Sequence, residues 1–271
     1  MVGTSLQYTQ SKDGTRIAYR VTGTGTPLVL VHGTGDSHTR WSGVSAALGR
    51  SHRLYAMDRR GHGKSQDAQD HDLRREIADV LAVVEAAGEP VYLMGHSYGG
   101  ICALEAALLA QGVRKLILYE PPIFVPGVEM HDTGYEARVA ALEKAGDWEG
   151  IWVSFLRDVI RMSDHEIQTM KASPSWKVRV RMAPVLPREL RACEAYRFDA
   201  SRFAAFTVPT LLLTGGESTP ALRAAVVMLH EHLPRSTVTA FPGERHSAMS
   251  TAPSAFVRAV TDFLNGSSHN A

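Results

Sequence analysis

Ser97 stands in Gly95-His96-Ser97-Tyr98-Gly99, a G-x-S-x-G run between an apolar stretch that starts at Val91 and a segment of helical periodicity. A serine hydroxyl becomes a nucleophile when a neighbouring imidazole takes its proton. That imidazole in turn needs an anion to fix its tautomer and stabilise its positive charge. Glycines on both sides of the serine suit a sharp strand-to-helix turn, since they carry no Cβ to clash where the backbone folds back, and such a turn exposes the hydroxyl at a helix N-terminus. Other groups able to join this chemistry are His246 in Pro242-Gly243-Glu244-Arg245-His246, Glu120 ahead of Pro121-Pro122, and Glu217 in Gly215-Gly216-Glu217-Ser218. His32-Gly33-Thr34-Gly35 forms one more glycine-punctuated turn.

The elements around these groups are read from periodicity. Residues 6–11 and 15–22 flank Asp13-Gly14, a hairpin dipeptide, so two antiparallel strands are expected first. Residues 28–31, 54–57, 91–94 and 115–119 are short apolar runs with β-branched members, as in parallel strands covered on both faces. Each ends at a loop that carries a polar or glycine cluster: His32-Gly33, Asp58 to Ser65, Ser97, and Glu120. Ile77, Val80, Leu81 and Val84 repeat at helical spacing, as do Ile101, Leu104 and Leu108, with Gly112 placed to cap the second helix. From residue 123 to residue 206 no run resembles a central strand, while Trp148, Trp152, Phe155 and Val159 keep helical spacing and Ser163 starts a capping-box pattern. Residues 209–214 resume the sheet, and Thr219-Pro220 supplies an N-cap and a first-turn proline. The strand at residues 237–241 ends before His246, and Phe256, Val260, Phe263 and Leu264 mark a closing helix, after which residues 266–271 are polar and expected to fray. Strand and helix alternation predicts an α/β fold with sites at the carboxyl ends of the strands.

Composition bounds the rest. With 44% hydrophobic and 21% charged residues the 271-residue chain is globular, and a net charge of +1 argues against nucleic acid as a partner. No apolar stretch is long enough to span a bilayer, and residues 1–13 lack the apolar core of a secretory signal, so a cytoplasmic monomer or homodimer is expected. The two cysteines, Cys102 and Cys193, fit neither a C-x-x-C pair nor a metal spacing. His230-Glu231-His232 lacks the H-E-x-x-H spacing, and Gly33-Thr34-Gly35 and Gly61-His62-Gly63 lack the third glycine of a dinucleotide fingerprint. Neither metal nor cofactor is implied.

Taken together, H-G after the third strand, D-x-x-G-x-G-x-S after the fourth, G-H-S-Y-G-G after the fifth and P-G-x-x-H before the last helix resemble the α/β-hydrolase superfamily. The resemblance implies an eight-stranded, mostly parallel sheet with helices on both faces, formed by residues 1–122 and 207–271, and a helical cap at residues 123–206. It implies the triad order nucleophile, acid, histidine, which Ser97, Glu120 and His246 satisfy, and backbone oxyanion donors at Thr34 and Tyr98. Most members carry the acid as aspartate after the seventh strand, where this chain has Ser218, with Glu217 one residue early. A minority, including one subgroup of haloalkane dehalogenases and the zearalenone-lactonase-like hydrolases, carry a glutamate at the end of the sixth strand, where Glu120 stands. Glu120 is therefore the expected acid and Glu217 the alternative. Asp58, Arg59 and His62 are expected to brace the oxyanion loop.

The implied activity is cofactor-independent hydrolysis of a carboxylic ester or lactone through an acyl-enzyme on Ser97. Carbon-carbon bond hydrolysis of a diketone with the same triad, or ligand binding with little turnover, are the alternatives. His96, Trp152 and Phe155 are the candidates to line the substrate pocket, although helical spacing and position also suit them to packing. Among Lys177, Arg179, Arg181, Arg188 and Arg191, one arginine turned inward could hold a substrate carboxylate.

Overall fold

The computed structural model describes residues 5–68, 70–173 and 176–266. The readings of the first four residues and of the polar tail beyond Gly266 fall outside the described residues. β1 (Ser5–Gln10) and β2 (Arg16–Thr22) pair antiparallel around the Asp13-Gly14 turn, where Gly14 takes the left-handed φ of 85°. β3 (Thr26–Val31), α1 (Ser42–Leu48), β4 (His52–Met57), α2 (Leu73–Ala86) and β5 (Val91–His96) follow. α3 (Tyr98–Leu109) leads into β6 (Val113–Tyr119). α3 stops short of the glycine expected to cap it: the Ala110 N–H closes it on Ala106 O, and Gly112 O instead accepts from Val91 N at the start of β5, at 2.9 Å.

The chain then leaves the sheet through α4 (Tyr135–Ala145), α5 (Trp148–Ser154), α6 (Asp164–Lys171), α7 (Trp176–Met182), α8 (Leu186–Ala195) and α9 (Ala200–Phe203). A π-type turn at Phe155–Val159 extends α5. Ser163 and Glu166 form the capping box that opens α6. β7 (Thr210–Gly215), α10 (Pro220–His232), β8 (Ser236–Phe241), α11 (Ala248–Thr251) and α12 (Pro253–Asn265) complete the fold, with Thr219 accepting from Leu222 N at the α10 N-cap.

The eight strands form one sheet in the order β1-β2-β4-β3-β5-β6-β7-β8. β1–β2 and β2–β4 are antiparallel and the other pairs parallel. Because successive strand residues point to opposite faces, β3 feeds two cores. Val29 and Val31 pack with Val80 and Val83 of α2 and Ile101 and Leu104 of α3. Leu28 and Leu30 pack on the other face with Leu48 of α1 and Phe256 and Val260 of α12. The inserted helices have their own apolar cluster, centred on Tyr135, Ile151, Trp152 and Leu186. The two ends of the insertion belong to the main core instead: Ile123, Tyr196, Phe203 and Phe206 pack on the α2/α3 side. Among the described residues no helix is long and apolar enough to cross a membrane.

Candidate active site

The carboxyl ends of β3, β5, β6 and β8 bring His32-Gly33-Thr34, Ser97, Glu120 and His246 to one edge of the sheet. Ser97 adopts φ 54° and ψ −131°, a conformation that non-glycine residues rarely take and that marks the sharp turn the sequence calls for. The flanking glycines are needed for close approach. A Cβ on Gly99 would lie 2.2 Å from His32 O, one on Gly95 2.4 Å from Gly99 O, and one on Gly33 2.8 Å from the Ser97 Cβ. Ser97 N donates to Tyr119 O at 2.9 Å, which locks the elbow to β6. Tyr98 opens α3, so its N–H has no acceptor within the helix. Thr34, Ser97 and His246 border one cavity of about 500 Å³.

His246 Nδ1 lies 2.6 Å from Glu120 Oε2. The other Glu120 oxygen accepts from Thr214 Oγ1 and from Gly215 N, both at 2.7 Å, so the carboxylate is the acceptor and His246 Nδ1–H the donor. This tautomer leaves Nε2 with its lone pair. Burial alone would raise the Glu120 pKa. The hydrogen bond and charge of His246 lead the groups that instead hold it below its ordinary value. Ser218 Oγ is close enough to contribute to that lowering but makes no hydrogen bond of good geometry. Glu120 itself takes a positive φ of 45° and is fully buried ahead of Pro121-Pro122. Glu217 is exposed, and among the described residues its carboxylate has no hydrogen bond to His246; only its backbone N–H is engaged, by Glu244 O at 2.8 Å.

Of the expected pocket residues, Phe155 borders the cavity and His96 and Trp152 do not. His96 is packed beneath the catalytic candidate: its ring centroid lies 4.5 Å from that of His246, and its Nε2–H donates to His246 O at 2.9 Å. Burial and the neighbouring His246 push its pKa well down, so it stays neutral. Trp152 is buried among the inserted helices, donates to Arg179 O at 2.6 Å and lays its ring against Gly35. Both rings are large enough to fill a packing gap, and here that is what holds them.

Several supports were not evident from the sequence. Tyr119 OH donates to Arg245 O and accepts from Ala248 N at 3.1 Å, which fixes the His246 loop on both sides. Arg40 Nη2 donates to Ser247 Oγ at 2.7 Å. These contacts join residues far apart in the chain, and only the aromatic residue before Glu120 hints at them. Of Asp58, Arg59 and His62, expected to brace the oxyanion loop, Arg59 bonds the turn that carries Thr34, its N donating to His32 Nε2 at 3.0 Å and its Nη2 to Gly33 O at 3.3 Å, while Asp58 accepts from His38 N at 2.7 Å and His62 Nδ1 donates to Arg60 O at 3.0 Å. Burial, then Arg59, holds His32 well below its usual pKa, as a neutral imidazole.

Among the described residues, two groups of side chains bring metal-ligand atoms within 4.8 Å of one another: His71, Glu76 and Glu189, and His131, Glu136 and Glu194. In the first, Arg59 already bonds both carboxylates, which opposes a second cation. The second lies at the cavity border, with Glu136 exposed and His131 3.4 Å from Glu194. His230 and His232 bond Ser236 Oγ and Met228 O separately and do not converge.

Sheet order, elbow and strand-end placement define an α/β hydrolase. The chain belongs to the α/β hydrolase family, whose pattern matches residues 28–259. It is 27% identical over 253 residues to a pimeloyl-[acyl-carrier protein] methyl ester esterase of Nitrosomonas europaea, covering 89% of this chain and 96% of that one. A crystal structure of an α/β hydrolase from Sphaerobacter thermophilus superposes with a TM-score of 0.82 at 27% identity, over 94% of this chain and 100% of that one. An esterase from Rhodococcus sp. does so at 0.76 and 26%, over 96% and 98%. Several other curated relatives match over less than half of their own length. An uncharacterised Mycobacterium tuberculosis protein is 36% identical over 119 residues, which are 42% of this chain and 34% of that one.

Proposed function

We propose that the chain is a serine hydrolase that cleaves a carboxylic ester or lactone through an acyl-enzyme on Ser97. The observation that carries this reading is the buried contact between Glu120 and His246 Nδ1, which leaves Nε2 free to act as base on the edge of the cavity that Ser97 also borders. His246 takes the Ser97 proton as Oγ attacks the carbonyl. Glu120 stabilises the resulting imidazolium, and the backbone N–H groups of Thr34 and Tyr98 receive the oxyanion. His246 then gives its proton to the departing alcohol or, in a lactone, to the ring oxygen that opens. Water, deprotonated by the same nitrogen, releases the acid and restores Ser97. Residues 123–206 act as a cap over this site, and no cofactor takes part. Relatives named as esterases at over 25% identity support the ester class.

The test is turnover of p-nitrophenyl acetate and labelling by a fluorophosphonate, each compared between wild type and Ser97→Ala. Both signals should vanish in the variant. Wild-type protein that shows neither turnover nor labelling would overturn the reading.

A further inference from the structure

The chamber beside Ser97 is built from parts of the chain that are distant in sequence, and their chemistry agrees. Pro122 after β6, Phe155, Val159 and Ile160 at the π-type turn, Leu190 of α8 and Leu222 of α10 border it, and all are apolar. Phe155 and Leu190 belong to the packed cluster of the inserted helices, so this wall has a fixed shape. Its volume of about 500 Å³ lies within the range of pockets that enclose whole small molecules.

The charged side chains that border the cavity are, in contrast, mostly exposed to solvent: Glu129, Asp132, Glu136 and Arg197. The cationic groups on that border are Arg197 and His131. Arg197 donates to the carbonyl of the preceding residue, Tyr196 O, at 2.9 Å, and lies 4.8 Å over the Phe124 ring, with no ion pair to a carboxylate among the described residues. His131 faces Glu194 at 3.4 Å, and the Glu194 carboxylate is the leading cause that raises its pKa. Arg138, outside the lining, bonds Asp132 at 2.9 Å. Glu129 has no ion-pair partner among the described residues, and the Glu136 carboxylate stands within 4.8 Å of the His131 ring. None of Lys177, Arg179, Arg181, Arg188 and Arg191, the groups expected to offer a substrate carboxylate a cation, borders this cavity. Arg188 pairs with Asp67, Arg191 with Glu143 at 2.8 Å, and Arg179 lies over Trp152.

Taking Ser97 as the nucleophile, as proposed above, we infer that the site selects uncharged esters or lactones with a sizeable apolar acyl or alcohol group, and rejects those that carry a carboxylate. An apolar group that leaves water gains roughly fourfold in binding per methylene. A carboxylate in the same chamber would lose its water against apolar walls, and would approach past a border where Glu129, Asp132, Glu136 and Glu194 outnumber Arg197 and His131. The selection therefore comes from desolvation in the chamber and is reinforced by charge at the border.

Three p-nitrophenyl esters separate these effects on the wild-type protein: the acetate, the hexanoate, and the half-ester of adipic acid, which matches the hexanoyl chain but ends in a carboxylate. By kcat/KM the hexanoate should exceed the acetate by at least about tenfold, and the adipate half-ester should fall below the hexanoate by about a hundredfold. An adipate half-ester equal to the hexanoate, or an acetate faster than the hexanoate, overturns the inference while leaving the hydrolase reading intact. If no ester is turned over and the fluorophosphonate leaves Ser97 unlabelled, the hydrolase reading falls and this inference falls with it.

Discussion

Arg59 and Glu189, separated by 130 residues in sequence, form an ion pair with both side chains fully buried. The same guanidinium bonds Glu76 of α2 at 3.1 Å and reaches Gly33 O at 3.3 Å, so one cation ties α8, α2 and the Thr34 turn together. Burial would lower the Arg59 pKa, but Glu189 and Glu76 more than offset it and keep the group charged. The charge count makes Arg59 the critical member. Removing Glu189 leaves the Arg59–Glu76 pair, whereas removing Arg59 leaves two buried carboxylates with only the imidazoles of His71, 2.8 Å from Glu76, and His62, 3.5 Å from Glu189, against them.

Arg59→Met should therefore destabilise the fold by about 3–5 kcal/mol, the cost of stranding buried charge. Glu189→Gln, which keeps a hydrogen-bonding group and a balanced pair, should cost about 1–3 kcal/mol. Urea unfolding of both variants at neutral pH measures the ranking. Equal losses would mean that the cluster is held by packing and not by its charges.

The acid behind His246 is tested by a pair of amides. Glu120→Gln keeps the size of the side chain but cannot supply the anion, and kcat/KM on a p-nitrophenyl ester should fall by about 10⁴. Glu217→Gln, on an exposed side chain, should change kcat/KM by less than about twofold. The reverse order would move the role of orienting acid to Glu217.

What the sequence could and could not tell about this site follows from the range of each signal. Ser97 between its glycines, the Asp13-Gly14 hairpin and the Thr219-Pro220 helix start depend on neighbours in the chain, and their elements lie where local pattern puts them. The choice between Glu120 and Glu217 depends on where β6 and β7 end relative to His246, a relation between strands that no local pattern carries. Trp152 illustrates the harder case. Its helical spacing identifies a packing stripe, yet the surface it meets is Gly35, at the far side of the sequence. Arg59 likewise reads as part of a familiar loop, while its partner Glu189 lies in the insertion, where sequence gives helices but not their docking.

Glu120 also sets an acid limit on stability. Its folded pKa lies below the ordinary 4.5, so its charged form favours folding. That contribution is complete above the unfolded value and is lost as pH falls through the lowered folded value. In urea titrations carried from neutral pH down to about pH 3, the stability gap between wild type and Glu120→Gln should narrow only on the acid side. A gap that stays constant across the range would mean that the Glu120 charge does not contribute to folding.

Gly35 is required for two separate reasons, and a double-mutant cycle can divide them. Its φ of 63° is left-handed, and a Cβ added there would lie 2.3 Å from the Trp152 ring and 3.3 Å from Leu186 Cδ1. Gly35→Ala should thus cost about 1–2 kcal/mol for the conformation alone, with a further loss from displacing the ring. Because Thr34 is the adjacent residue and a proposed oxyanion donor, kcat should fall as well. Trp152→Leu opens space at the same spot but removes buried apolar surface, and so destabilises on its own. Combined, the two changes should compensate, with a coupling of about 0.5–3 kcal/mol in favour of the double variant and partial recovery of kcat. Strict additivity would show that the inserted helices do not press on the oxyanion turn through this contact.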